Sequence, residues 1–337
     1  MKLMNPKSGL PLVRLRLILP VVRELDRRRL DANSVLARSG LVRDTVFDHG
    51  VFVPPIVVHR FLEDAARAAG DPYLCARVGE SMDVASWPPL VDAVSHARTL
   101  GEFLIRFIRA AGDEASSAQH ALEIGPEFAF FRERRTSEQE IAPAQNDAFT
   151  AAYTLPLLRR GAGHSWRAEE VWLKVCDPGA LPDRYMGVCV VRGDRKGMTV
   201  RFPSAWLLQA LDRRGFLETS SNRQGRLELP TRFLEALRHA LEPHLHAADL
   251  DVDFAVRLLG TSRQSLQRRL RANGTTLSAE IRDLKRSRAI AGLLQSDRPI
   301  TEIAGSLGFQ NPTSFTRAFR SWTGESPREY RKSRRAI

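Results

Sequence analysis

The stretch Ile300-Thr301-Glu302-Ile303-Ala304-Gly305-Ser306-Leu307-Gly308-Phe309-Gln310-Asn311-Pro312-Thr313-Ser314-Phe315-Thr316-Arg317-Ala318-Phe319-Arg320-Ser321-Trp322 reads as two short helices joined by a tight turn. Ile303 and Leu307 lie one helical turn apart and face inward. Gly308 makes the turn. The second helix, Pro312 to Trp322, places Phe315, Phe319 and Trp322 on one face, at i, i+4 and i+7. Its other face carries Thr313, Arg317 and Arg320, with Thr316 alongside. Pro299 suits the first turn of the leading helix.

The same construction occurs once more upstream. Val252 to Leu258 is a short helix, Leu259-Gly260-Thr261-Ser262 a turn, and Ser262 a good N-cap for a helix from Arg263 to Arg271. Leu266 and Leu270 face inward, while Gln264, Gln267 and Arg268 face out, with Arg263 at the helix start. Between the copies, Leu277 to Leu294 reads as a long helix with Ile281, Leu284 and Ile290 available for packing. Eighteen helical residues span roughly 27 Å. With its turns, that length suits two recognition helices about one duplex turn apart, roughly 34 Å. The side chains have the right chemistry: Arg grips guanine O6 and N7, Gln adenine N6 and N7. Arg320 and Arg271, further along their helices, suit phosphates. One helix-turn-helix pattern is a weak signal, because helical hairpins are common. Two copies with basic outer faces and a bridging helix are a much stronger one.

Charge is distributed accordingly. The 337-residue chain has a formal charge of +12. Residues 250–337 hold 17 Lys and Arg against 8 Asp and Glu, an excess of nine; the remainder holds 34 against 31, an excess of three. A basic excess confined to one end points to a polyanionic partner for that end.

Ile300-Thr301-Glu302-Ile303-Ala304, Leu307-Gly308-Phe309, Ser314-Phe315-Thr316-Arg317-Ala318-Phe319-Arg320, Gly324-Glu325-Ser326-Pro327 and Tyr330-Arg331 closely resemble the signature of the AraC/XylS family of bacterial transcription regulators. Leu266-Gln267-Arg268-Arg269-Leu270 with Gly274-Thr275-Thr276 is similar to that family's first unit. The resemblance covers roughly residues 231–333 and implies a seven-helix domain with one recognition helix per subdomain. By position, Gln264, Gln267 and Arg268 match the first helix's base-facing residues, and Pro312, Thr313 and Arg317 the second's. Pro312 departs from the pattern: it has no N–H to donate, and reads as a helix-starting residue. The candidate DNA-binding set is therefore Arg263, Gln264, Gln267, Arg268, Thr313, Thr316, Arg317 and Arg320.

Upstream, Leu36-Ala37-Arg38-Ser39-Gly40-Leu41, Gly70-Asp71-Pro72-Tyr73-Leu74, Arg77-Val78-Gly79 and Phe202-Pro203-Ser204-Ala205-Trp206-Leu207 resemble, more loosely, the arabinose-binding type of N-terminal domain found in ornithine-utilisation-like members of that family. The resemblance implies an effector-binding or dimerisation domain. The implied partners are double-stranded DNA, RNA polymerase, a second copy of the chain as a homodimer, and a small-molecule effector whose binding residues the sequence does not identify. Activation is the expected mode, although the residues themselves do not separate activator from repressor. A regulator whose N-terminal domain only dimerises or binds a protein stays open beside the effector-responsive one, with an enzymatic N-terminal domain as a third, least favoured alternative.

Residues 1–211 mix signals and read as an α+β domain; 212–230, rich in Ser, Gly, Asn and Arg, as a linker; 231–337 as all-α, with helix-turn-helix units near 251–271 and 300–322 joined by the long helix. In the first domain, 57–69, 90–111 (broken near Thr99) and 146–160 read as helices, Pro156 kinking the last. Residues 121–124 and 128–132 read as a hairpin, 170–176 as a half-buried strand, and 188–192 with 198–202 as a further strand pair.

Catalysis and cofactors find no support. No nucleophile elbow, phosphate loop or dinucleotide glycine pattern is present. Cys75, Cys176 and Cys189 are few, odd in number and far apart, which speaks against disulfides and zinc; they read as buried core thiols. His239, His244 and His246 lack accompanying Cys or carboxylate ligands and read as solvated or helix-end residues, not a metal site. No apolar run reaches membrane-spanning length, and Arg14 and Arg16 interrupt the apolar stretch 10–22, so a cytoplasmic protein without membrane contact is expected.

Overall fold

The computed structural model of the chain describes residues 10–48, 50–82, 88–112, 114–137, 140–211, 230, 232–247 and 249–335. The expected linker, 212–230, lies outside the described residues up to position 229. The chain divides into two compact units, one formed by residues 11–229 and the other containing residues 230–337.

The N-terminal unit begins with a two-residue strand, β1 (Val13–Arg14), paired antiparallel with β2 (Phe52–Val53). Around them lie α1 (Leu19–Arg27), α2 (Ala32–Arg38), α3 (Arg43–Phe47), α4 (Pro55–Ala68) and α5 (Leu74–Ser81). Next come α6 (Pro88–His96) and α7 (Leu100–Ala111). The break expected near Thr99 is an N-cap: its side chain accepts from Glu102 N at 3.2 Å. Five further strands form one sheet: β3 (Ala118–Ile124), β4 (Phe128–Arg135), β5 (Trp172–Val175), β6 (Cys189–Arg192) and β7 (Gly197–Pro203). Between β4 and β5 runs α8 (Ala144–Ala162), which continues through Pro156.

The sheet order is β3-β4-β7-β5-β6. The β3–β4 hairpin follows the sequence reading, but β6 and β7 do not pair with each other. β5 lies between them, antiparallel to β7 and parallel to β6. Nearness in sequence suggested a hairpin; the central place is taken by a strand formed earlier in the chain. β6 is consequently an edge strand, and Cys189 on it is exposed, not a core thiol.

The core lies where α7 and α8 cover the sheet. Phe103 and Phe107 of α7 meet Phe131 of β4 and Phe202 of β7, all buried. Each such ring contributes roughly 1.5–3 kcal/mol by leaving water. α8 presents small residues, so α5 crosses it closely: a Cβ on Gly79 would stand 2.6 Å from Ala152 Cβ. The phrase Arg77-Val78-Gly79 thus records a helix crossing that only glycine permits.

The C-terminal unit contains seven α-helices among the described residues. They are α9 (Phe233–Leu241), α10 (Val252–Leu259), α11 (Arg263–Ala272), α12 (Leu277–Gln295), α13 (Ile300–Ser306), α14 (Pro312–Thr323) and α15 (Pro327–Arg335). Ala289 and Leu293 of α12 pack with Ile303, Leu307, Phe315 and Phe319. The long helix buries Leu277, Ala289 and Leu293, whereas Ile281, Leu284 and Ile290 are only half-buried. Pro299 stands one position before its expected place, as the extended N-cap of α13.

Candidate nucleic-acid interface

The first candidate reader is built by caps. Asp251 accepts from Phe254 N at 2.8 Å and starts α10; Gly260, at φ +56°, ends it in the left-handed region. Ser262 accepts from Ser265 N at 3.2 Å and starts α11. Leu266 and Leu270 are buried, which forces Arg263, Gln264, Gln267 and Arg268 outward, and all four are exposed. They are not equivalent. Arg263 Nη2 donates to Asp253 Oδ1 at 2.6 Å, a carboxylate on the preceding helix that holds its guanidinium above its ordinary pKa. The side chains of Gln264, Gln267 and Arg268 have no hydrogen-bond or ion-pair partner among the described residues and offer open donors.

In the second unit, Asn311 caps α14 by accepting from Ser314 N at 2.8 Å. Pro312 occupies the first turn, where its missing N–H costs no helical bond. Phe315 and Phe319 are fully buried, and Trp322 is half-buried against them. On the other side, Pro312, Thr313, Thr316, Arg317, Arg320 and Ser321 line one shallow, open concavity. Thr313, Arg317 and Arg320 are exposed there, Thr316 half-buried. Arg317 has no partner among the described residues; Arg320 Nη2 stands 3.7 Å from Glu329 Oε2. Glu329 is itself fixed by a reciprocal cap: it accepts from Ser326 N at 2.9 Å while its own N–H donates to Ser326 Oγ at 3.3 Å.

Three positioning contacts escaped the sequence reading. Glu280 on α12 is buried and accepts from Arg238 Nε of α9 and from Thr275 Oγ1, at 2.8 and 2.9 Å. Arg331 of α15 donates to the carbonyls of Leu293 and Arg298, satisfying oxygens at and beyond the C-terminal turn of α12. Gly308, at φ +75°, turns against the carbonyls of Leu245, His246 and Ala247. Gly308 had a legible turn signal, but its carbonyl neighbours come from 60 residues upstream.

Two family models match the chain. The arabinose-binding domain of AraC transcription regulators covers residues 30–211, more than half of it, and a helix-turn-helix domain covers 255–333. The chain belongs to the AraC family of transcription regulators. It is therefore a DNA-binding transcription regulator, of a family of regulators and not of enzymes. This AraC-family chain is 41% identical over 83 residues to the ornithine utilization regulator of Pseudomonas aeruginosa, covering 25% of this chain and 24% of that one. It is 31% identical over 123 residues to the transcriptional activator NphR of Rhodococcus, covering 36% of each. The matches thus span about a quarter to a third of those relatives' length. The crystal structure of the transcriptional regulator CdpR from Pseudomonas aeruginosa aligns with 94% of this chain and 98% of its own at 16% identity, with a TM-score of 0.41.

Other candidate groups in this AraC-family chain fall elsewhere. His244 is buried edge-on against Phe254, with ring centroids 5.4 Å apart; it is a core histidine, not a solvated one. No group of three or more His, Cys, Asp or Glu is placed to hold a metal ion among the described residues. Burial pushes the Cys75 and Cys176 thiols well above their ordinary pKa, the wrong direction for nucleophiles. No helix among the described residues is long and apolar enough to cross a membrane.

Proposed function

We propose that this AraC-family regulator is sequence-specific and reads two successive major grooves on one side of the duplex. Gln264, Gln267 and Arg268 of α11, with Arg263 at its start, serve one groove; Thr313, Thr316 and Arg317 of α14, with Arg320 on phosphate, serve the other. The observation that carries the reading is Arg317, without a partner among the described residues and exposed on a helix whose opposite face is locked by Phe315 and Phe319. A guanidinium with open donors, carried on a helix fixed by its opposite face, suits bidentate guanine recognition. The 19-residue α12 between the readers supports the spacing: at 1.5 Å per residue it is about 28 Å long.

The N-terminal unit serves as effector-responsive and dimerising module, with residues 212–230 as linker and the reader beginning near residue 231. The family description of that unit as a ligand-binding domain supports this role. Homodimerisation, action on RNA polymerase and a cytoplasmic location complete the reading, and the relative named as a transcriptional activator favours activation.

The deciding experiment is selection of genomic DNA fragments by the full chain near physiological salt, about 0.15 M, followed by footprinting. One enriched motif with two protected blocks a helical turn apart is expected. Salt-sensitive binding without a motif removes sequence-specific regulation.

A further inference from the structure

The β4 strand of the N-terminal unit turns alternate residues inward. Ala129 and Phe131 join the core, but the next two inward positions are Glu133 and Arg135, both buried. Arg135 is fully committed: it pairs with the buried Asp147 and donates to the Arg195 carbonyl at 3.1 Å. Asp147 also accepts from Cys176 N at 2.7 Å. Glu133 has no such closure. It is 7% exposed, and its nearest donors, His120 Nε2 and Arg135 Nη2, stand at 3.6 and 3.9 Å, longer than a formed hydrogen bond.

Glu133 lies on the wall of a cavity of about 110 Å³ between α4, α8 and the β3–β4 hairpin. Val58, Leu62 and Ile18 make much of that wall apolar. Phe149 and Tyr153 of α8 also line it, ring centroids 6.0 Å apart and edge-on. Burial opposes ionisation of Glu133, but His120, Arg135 and His59 around it outweigh that and hold the carboxyl below its ordinary range.

We propose that this cavity binds a small organic cation, an ammonium or guanidinium head on an apolar body, with Glu133 as its counter-ion. Among the permanent charges, Glu133, Asp147 and Arg135 carry one negative charge in excess, with the titratable His120 and His59 beside Glu133, and a buried carboxylate without a formed hydrogen bond is costly. An ammonium fills its empty acceptor positions and can lie against the aromatic faces of Phe149 and Tyr153. An anion meets the carboxylate head-on. A neutral polyol leaves the charge uncompensated and makes no use of the apolar walls. The consequence for DNA binding rests on the effector reading given above; the site itself does not.

The test is calorimetry on the full chain without DNA, using n-hexylamine, 1-hexanol, hexanoate and xylitol at neutral pH. Hexylammonium saturates one site, hexanol binds at least tenfold more weakly, and hexanoate and xylitol do not bind. Glu133→Gln lowers amine affinity at least tenfold and removes the preference over hexanol. Val58→Phe, which fills the apolar wall and leaves the charged end intact, also blocks the amine, with circular dichroism unchanged. Absence of amine binding, equal or tighter binding of hexanoate or xylitol, or undiminished amine affinity in folded Glu133→Gln overturns the proposal. Amine binding that leaves DNA affinity unchanged keeps the site and sinks the effector reading. DNA affinity that responds to another molecule while no amine binds does the reverse.

Discussion

Arg263 of α11 donates from Nη2 to Asp253 Oδ1 of α10 at 2.6 Å, so the leading guanidinium of the first candidate reader is already paired inside the protein. Both side chains are more than half exposed, and such a pair yields readily to a phosphate or to salt. It also places a carboxylate beside the proposed DNA-facing surface. Asp253→Asn removes that charge and frees Arg263. Binding to specific and random DNA alike should tighten, by about threefold, the worth of roughly one phosphate contact. The melting temperature should not move. Unchanged or weaker binding to random DNA would show that Asp253 does not border the duplex.

Arg317 and Arg320 lie on the same side of α14 but differ in company. Arg317 has no partner among the described residues; Arg320 shares a loose contact with Glu329. Arg317→Ala should cost about 1–3 kcal/mol on the cognate site and relax choice at one base pair. Arg320→Ala should weaken binding to every sequence and lower the salt slope by about one. Equal losses for Arg317→Ala on cognate and random DNA would refute base reading by that residue.

Two turn glycines separate conformational from steric cost. Gly260, at φ +56°, has open space where a Cβ would be, whereas a Cβ on Gly308 would meet three carbonyl oxygens at 3.0–3.2 Å. Gly260→Ala should therefore carry only the left-handed penalty, about 1 kcal/mol. Gly308→Ala adds backbone displacement of the 245–247 segment, for about 2–3 kcal/mol in total. Urea midpoints of the C-terminal unit read both; equal shifts would mean that the 245–247 segment yields freely.

The C-terminal helices were legible because their signals are local. Gly260 and Ser262 mark one turn within three residues, and Phe315, Phe319 and Trp322 mark a face by spacing alone. What the sequence hid depends on distant partners. The Arg263–Asp253 pair forms across a turn, the Gly308 contact reaches back some sixty residues, and β6 finds β5 instead of its neighbour β7. Glu133 is the sharpest case. The strand reading stops at Arg132, yet the pleat continues to Arg135 and turns Glu133 and Arg135 inward.

Acid should loosen the N-terminal unit at one identifiable joint. Arg28, the C-cap of α1, donates to Glu24 at 2.6 Å and to Asp71, in the turn before α5, at 2.9 Å, and Arg77 Nε donates to Asp71 at 3.1 Å. Hydrogen bonds led by that from Arg27 hold the Glu24 carboxyl down to about 2, from an ordinary 4.5. Burial works against Asp71, but Arg77 and Arg28 outweigh it and keep its pKa below the ordinary value. Both folded-state values lie below the unfolded ones. Their stabilisation is therefore complete above the unfolded pKa and is lost as pH falls through the folded values. The urea midpoint of this unit should stay level from neutral pH down to about pH 5, then fall between pH 4.5 and about 2. Glu24→Gln and Asp71→Asn should lower the neutral-pH midpoint and flatten that acid limb. Variants whose midpoints fall in parallel with the parent's would place the acid sensitivity elsewhere.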